Sequence, residues 1–98
     1  MEILGVFDNE KAYDRYTVVF NETIEVIGEE EPCYQGLALS PDGGSTWVEV
    51  KFDKEGDNSH LGKRISFEGL PEKVKQAVFQ ALEELKRGEE LNDSLELY

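Results

Sequence analysis

Through the first two thirds of the chain, apolar and polar residues follow the two-residue period of strands; a helical period then takes over. Glu2 to Phe7 predicts a first strand, ended by the turn-forming pair Asp8-Asn9. Tyr16-Thr17-Val18-Val19-Phe20 is β-branched or aromatic at every position and predicts a second. Thr23 to Ile27 alternates, with Ile24 and Val26 on one face, and either extends that strand or pairs with it. Gly28 and Glu29-Glu30-Glu31 break the pattern. Cys33 to Leu39 and Thr46 to Phe52 predict two more strands. In the latter, Val48, Val50 and Phe52 alternate with Trp47, Glu49 and Lys51, the period of a half-buried strand. Residues 53–62 are rich in acids, Gly, Asn and Ser and predict an exposed loop, and Arg64 to Phe67 a short strand.

The helical pattern begins at Leu70-Pro71. Pro71 suits a first turn, where its missing N–H leaves no bond unmade, and Glu72 faces the positive end of the helix dipole. Leu70, Val74, Ala77, Val78, Ala81, Leu82 and Leu85 recur at spacings of three and four and form one apolar stripe. Lys86 and Arg87 suit the C-terminal dipole, and Gly88 is placed to end the helix. Phe79 lies off the stripe, in a position suited to a second packing layer or a dimer contact. The pattern predicts an α+β fold: an antiparallel sheet of four to five strands with one C-terminal amphipathic helix packed on one face. The expected organisation is a single domain over 1–88 and an acidic tail over 89–98, partly docked through Leu91, Leu95 and Leu97 or flexible. The sheet's uncovered face is then expected to be polar or to meet a partner.

Charge changes this picture most. The 98 residues carry 22 acids and 10 bases, a net charge of −12. Residues 1–50 hold eleven acids against Lys11 and Arg15 alone, a balance of −9, and residues 51–98 a balance of −3. The densest stretch contains Glu22, Glu25, Glu29, Glu30 and Glu31. This balance argues against direct nucleic-acid binding, which needs clustered Lys and Arg, and against adsorption to an anionic membrane. No apolar run approaches the roughly 18 to 20 residues of a membrane span, and the N-terminal residues lack the basic and apolar regions of a signal peptide. A single cysteine, Cys33, makes no internal disulfide, which points to a reducing, cytoplasmic setting.

One local motif is specific. Ser40-Pro41-Asp42-Gly43-Gly44-Ser45-Thr46-Trp47 follows the pattern S-x-D-x-G-x-T-W and resembles the Asp box, the bacterial-neuraminidase-type repeat of sialidases and other β-propellers. The physics of the segment implies a hairpin turn: Pro41 presets φ, the glycines accept positive φ, the Asp42 carboxylate accepts backbone N–H bonds, and Trp47 anchors the outgoing strand. Ser40, Asp42, Gly44, Thr46 and Trp47 are thus expected to be structural. Propellers need several blades, each with about 40 to 50 residues, so the resemblance stops at the hairpin. Asp14-Arg15-Tyr16-Thr17-Val18-Val19-Phe20 and His60-Leu61-Gly62-Lys63-Arg64-Ile65-Ser66-Phe67, followed by Leu70-Pro71, resemble small uncharacterised proteins of phages and mobile elements. That resemblance implies a genomic setting and no mechanism.

Candidates for chemistry are few. His60 lies near Asp53, Glu55 and Asp57, whose spacing echoes a calcium loop without its bidentate Glu, and a zinc site would want further His or Cys ligands. Cys33 as a nucleophile would need His60 as its base. There is no phosphate loop, nucleophile elbow, paired-cysteine motif or dinucleotide fingerprint. No catalytic residue, metal or cofactor is therefore expected. Tyr13, Tyr16, Tyr34, Trp47 and Tyr98 form either an aromatic patch beside the acidic segment or ordinary sheet positions.

The leading expectation is a small acidic, non-enzymatic interaction module, a monomer or weak homodimer, that binds a basic protein surface through Glu22, Glu25, Glu29, Glu30, Glu31 and Tyr34 and the uncovered sheet face. With the phage resemblance, its concrete form is a DNA-mimicking or anti-CRISPR-like inhibitor whose carboxylates stand in for phosphates. The alternatives are a self-associating assembly protein and, behind it, a small metal-dependent hydrolase using His60.

Overall fold

The computed structural model describes the backbone of residues 1–96 and the side chains of residues 1–88. Five antiparallel strands form one sheet in the order β4-β3-β2-β1-β5, with β1 Ile3–Asp8, β2 Tyr16–Ile24, β3 Cys33–Leu39, β4 Ser45–Val50 and β5 Lys63–Ile65. The first four make a meander, joined by loops over 9–15 and 25–32 and a tight turn over 40–44, and β5 returns beside β1 after the 51–62 loop. A single helix, α1 Glu72–Glu96, follows. The α+β architecture is the one the apolar periods require.

The two faces of the sheet hold separate apolar clusters. On one, Val6, Tyr16, Val18, Phe20, Leu37 and Leu39 meet Leu70, Val74, Ala77, Val78 and Ala81 of the helical stripe. Trp47 joins this cluster, its ring 5.7 Å from that of Phe20. On the other face, Phe7, Val19 and Val50 are buried, with Leu4, Tyr34, Val48, Phe52 and Leu61 packed partly against them. Phe52 stacks edge-on against both Phe7 and Tyr34, at 6.1 and 5.7 Å between ring centres. The face expected to stand open is thus partly closed by the chain itself. The apolar parity of Val48 and Val50 continues through Phe52 beyond the end of β4, and burying Phe52 and Leu61 draws the 51–62 loop back over the sheet. Gly36 makes this possible locally, since a Cβ there would collide with the Val50 methyl.

Several boundaries differ from those the pattern predicts. The Tyr16–Phe20 and Thr23–Ile27 segments are one strand as far as Ile24, irregular between Val19 and Thr23, where Asn21 turns its N–H to the Glu2 carbonyl at 2.8 Å. Such a bulge lets one strand keep pairing while its facing pattern slips. Phe67 belongs to a 3-10 turn, Phe67–Gly69, and not to β5. The helix does not stop at Gly88 but runs on to Glu96. A glycine inside a helix costs only about 1 kcal/mol relative to alanine, and no proline follows it. Whether Leu91, Leu95 and Leu97 dock lies outside the described side chains. Phe79 is 60% exposed and meets the Phe67 ring edge-on at 5.7 Å.

Candidate functional site

Two loops that are remote in sequence flank one groove. The first leaves β2 through a turn in which Glu29 N–H donates to the Val26 carbonyl at 3.1 Å, and it leads through Glu29, Glu30 and Glu31 into β3. The second is the 51–60 segment that follows β4. Between them lies an open hollow of about 920 Å³ with Tyr34 and Phe52 among its lining residues. Six carboxylates line it, from Glu29, Glu30, Glu31, Asp53, Glu55 and Asp57, against the two lysines Lys51 and Lys54.

The second loop is held by its own side chains. Asn58 accepts from Asp53 N–H and donates to the Asp53 carbonyl, both at 2.8 Å, and so clasps the loop's two arms. Asp53 accepts the Glu55 N–H at 3.0 Å. Asp57 accepts the N–H of Ser59 at 2.9 Å and its hydroxyl at 3.1 Å. These two bonds, backbone first, hold the Asp57 carboxyl below its ordinary range. His60 Nε2 lies 2.7 Å from the Lys51 carbonyl. The lysines answer the groove's own charge: Lys51 Nζ is 3.2 Å from Glu29, and Lys54 Nζ sits 5.8 Å from the centre of the Tyr34 ring. Both are exposed contacts that move with little cost.

The sequence-derived residues divide accordingly. Glu29, Glu30, Glu31 and Tyr34 line the groove, whereas Glu22 and Glu25 are exposed outside it. Asp53, Glu55 and Asp57, read from the sequence as an echo of a metal loop, are instead the groove's second acidic wall. Among the described residues no group of three or more His, Cys, Asp or Glu is arranged to hold a metal ion. Cys33 is buried, and its parity in β3 places it with Leu37, on the face opposite Tyr34. The aromatic residues form no single patch: Tyr16 and Trp47 belong to the helix-side cluster, Tyr34 to the other, and Tyr13 is 85% exposed in the β1–β2 loop; Tyr98 lies outside the described residues. Among the described residues no helix is long and apolar enough to cross a membrane.

The Asp-box-like segment forms the β3–β4 turn. The buried Ser40 hydroxyl donates to the Asp42 carboxylate and accepts the Gly44 N–H at 3.1 Å, and Asp42 also receives that N–H at 3.3 Å. The Ser40 hydroxyl first and the Gly44 N–H second hold the Asp42 carboxyl below its ordinary range. Gly43 takes φ +96°, a conformation in which a side chain would be strained. Thr46 pairs with Ala38, and Trp47 with Leu37, in the ladder beyond. A second fixed carboxylate lies at the far end of β1. Arg15 grips Asp8 with two bonds, at 2.7 and 3.0 Å, which hold the Asp8 carboxyl below its ordinary range. Comparison with protein-family models, with curated proteins and with solved structures finds no match to the chain.

Proposed function

We propose that the protein is a non-enzymatic interaction module that uses the groove between residues 28–32 and 51–60 to engage a basic surface of a nucleic-acid-binding protein. The observation that carries this reading is the convergence of two acidic segments on one hollow with aromatic lining. Six carboxylates face two lysines there, in a chain of net charge −12. Such a field speeds encounter with a Lys- and Arg-rich surface, and the carboxylates occupy positions that phosphates would otherwise take. Tyr34 and Phe52 give arginine side chains a flat surface to stack on. Ile27, fully exposed and next in sequence to the groove-lining Gly28, adds an apolar contact. A phage-encoded inhibitor of a DNA- or RNA-guided machine is the narrow form of the proposal.

The test is affinity capture from lysate at low and raised salt, using the wild-type protein, a Glu29→Lys/Glu30→Lys/Glu31→Lys variant and a Glu22→Lys/Glu25→Lys variant. The expected catch is a basic nucleic-acid-binding protein whose retention weakens with salt and whose own DNA or RNA binding the module blocks. Reversal at Glu29, Glu30 and Glu31 abolishes capture, and reversal at Glu22 and Glu25, outside the groove, leaves most of it. Capture indifferent to salt and to the first variant overturns the reading.

A further inference from the structure

The acidic groove adjoins a sheet edge to which nothing is bonded. β4 is the outermost strand on its side, and its ladder with β3 is regular from Leu39↔Ser45 to Tyr34↔Val50. In the same register, Ser40 N–H donates to the Gly44 carbonyl at 2.9 Å, which makes 40/44 a hydrogen-bonded pair. Such pairs alternate along an antiparallel ladder. Thr46, Val48 and Val50 therefore bond inward to β3, and the N–H and C=O groups of Ser45, Trp47 and Glu49 point outward. Among the described residues, no backbone bond from a turn or loop reaches those three. The usual protections of an edge are scarce here. β4 is six residues long, has no proline or lysine and carries one charge, Glu49. A shallow hollow of about 300 Å³, lined by Ile24, Gln35, Trp47, Val48 and Glu49, lies on the sheet face from β4 across β3 to β2. The strand's C-terminal end passes from Val50 directly into Lys51, Phe52 and Asp53 of the acidic groove.

We infer that β4 accepts an extended basic segment of a partner protein as a sixth strand. The segment's backbone pairs with Ser45, Trp47 and Glu49, and its Lys or Arg side chains reach the carboxylates of the adjoining groove. The inference rests on the proposed recognition of a basic partner and specifies its form. Main-chain bonds at an open edge supply affinity, and the flanking charge selects the sequence. Charge also chooses the occupant: a second copy would bring another −12 to the same edge, whereas a basic segment neutralises it.

The experiment uses two peptides of alternating Lys and Val, one unmodified and one N-methylated at every residue, which keeps the charge and removes every backbone donor. Binding is measured by calorimetry to the wild-type chain, to Glu49→Pro and to Glu49→Gln. Because the Glu49 N–H points outward, proline there leaves the β3 ladder intact. The unmodified peptide is expected to bind at least about tenfold more tightly than its methylated twin, and Glu49→Pro, which removes one outward donor, to narrow that difference by about fivefold, as one lost net hydrogen bond would. Glu49→Gln, which loses only the charge, keeps it. If Glu49→Pro fails to fold, the comparison of the two peptides on the wild-type chain decides alone. Equal binding of both peptides, or of neither, overturns strand addition, as does a wild-type dimer in sedimentation that Glu49→Pro dissociates. Failure of the recognition reading itself is seen separately, in capture that ignores the reversals at Glu29, Glu30 and Glu31.

Discussion

Against the helix, the sheet sets Val18, Phe20, Leu37 and Leu39, and α1 answers with Val74 and Val78, all fully buried; on the other face the loop after β4 brings only Phe52 and Leu61, both half-buried, onto Phe7, Val19 and Val50. The helical stripe repeats every three or four residues, so it lays down a continuous apolar strip with few gaps. A loop has no such period. It covers what two side chains can reach and must satisfy its remaining backbone with Asn58, Asp53 and Asp57. The polar groups that make the loop self-sufficient also make it acidic. The face closed by a loop is therefore the one that holds the groove. The lesson is that stability and the recognition surface are divided between the two sides of one sheet.

The largest effect is expected at Leu37. Leu37→Ala should cost ~2–5 kcal/mol in urea unfolding, because the fully buried site is walled by both sheet and helix and collapses poorly. A loss below about 1 kcal/mol would mean that the helix-covered face is not the tighter of the two. Phe52→Ala is expected to cost less, ~1–2 kcal/mol, since half of the ring's burial is lost from the start. Its larger signature should be in hydrogen exchange: amides of 53–61 speed up while those of Val18 and Leu37 stay protected. Uniform acceleration would show that the two faces open together.

A weaker change is expected with pH, and it falls on the loop side of the sheet. Asp57 titrates below its ordinary 3.8 in the folded chain, so its bonds to Ser59 contribute stability that is present above that value and is lost as pH falls through the folded one. Acid should therefore loosen the 53–60 loop before the helix side, a change followed by the amide signals of Ser59 and Leu61. In Asp57→Asn this acid-induced step shrinks while the part due to Asp8, gripped by Arg15, remains. An unchanged step in Asp57→Asn would assign the loop no part in it.

Local order reads directly from sequence. Tyr16-Thr17-Val18-Val19-Phe20, the Val74-to-Ala81 stripe and the Ser40–Trp47 turn each contain their own instructions within a few residues, because alternation, helical period and turn chemistry are short-range properties. They point to an antiparallel sheet of four to five strands and one helix with an apolar stripe, and leave the cover of the second sheet face open. The run to Glu96 through Gly88 departs from such local rules only because a lone glycine weakens a helix without breaking it. What a linear pattern does not contain is which loop lies over which face. Glu29–Glu31 and Asp53–Asp57 are more than twenty residues apart, and each alone reads as a solvated run. Their convergence follows from Phe52 and Leu61 seeking the apolar face around Phe7 and Val19, a long-range burial that exists only once the sheet has formed. Sequence alone establishes the kinds of element, the helix-facing stripe and the total charge. The tertiary structure decided where that charge gathers and which strand edge remains open, because both depend on contacts between segments that meet only on folding.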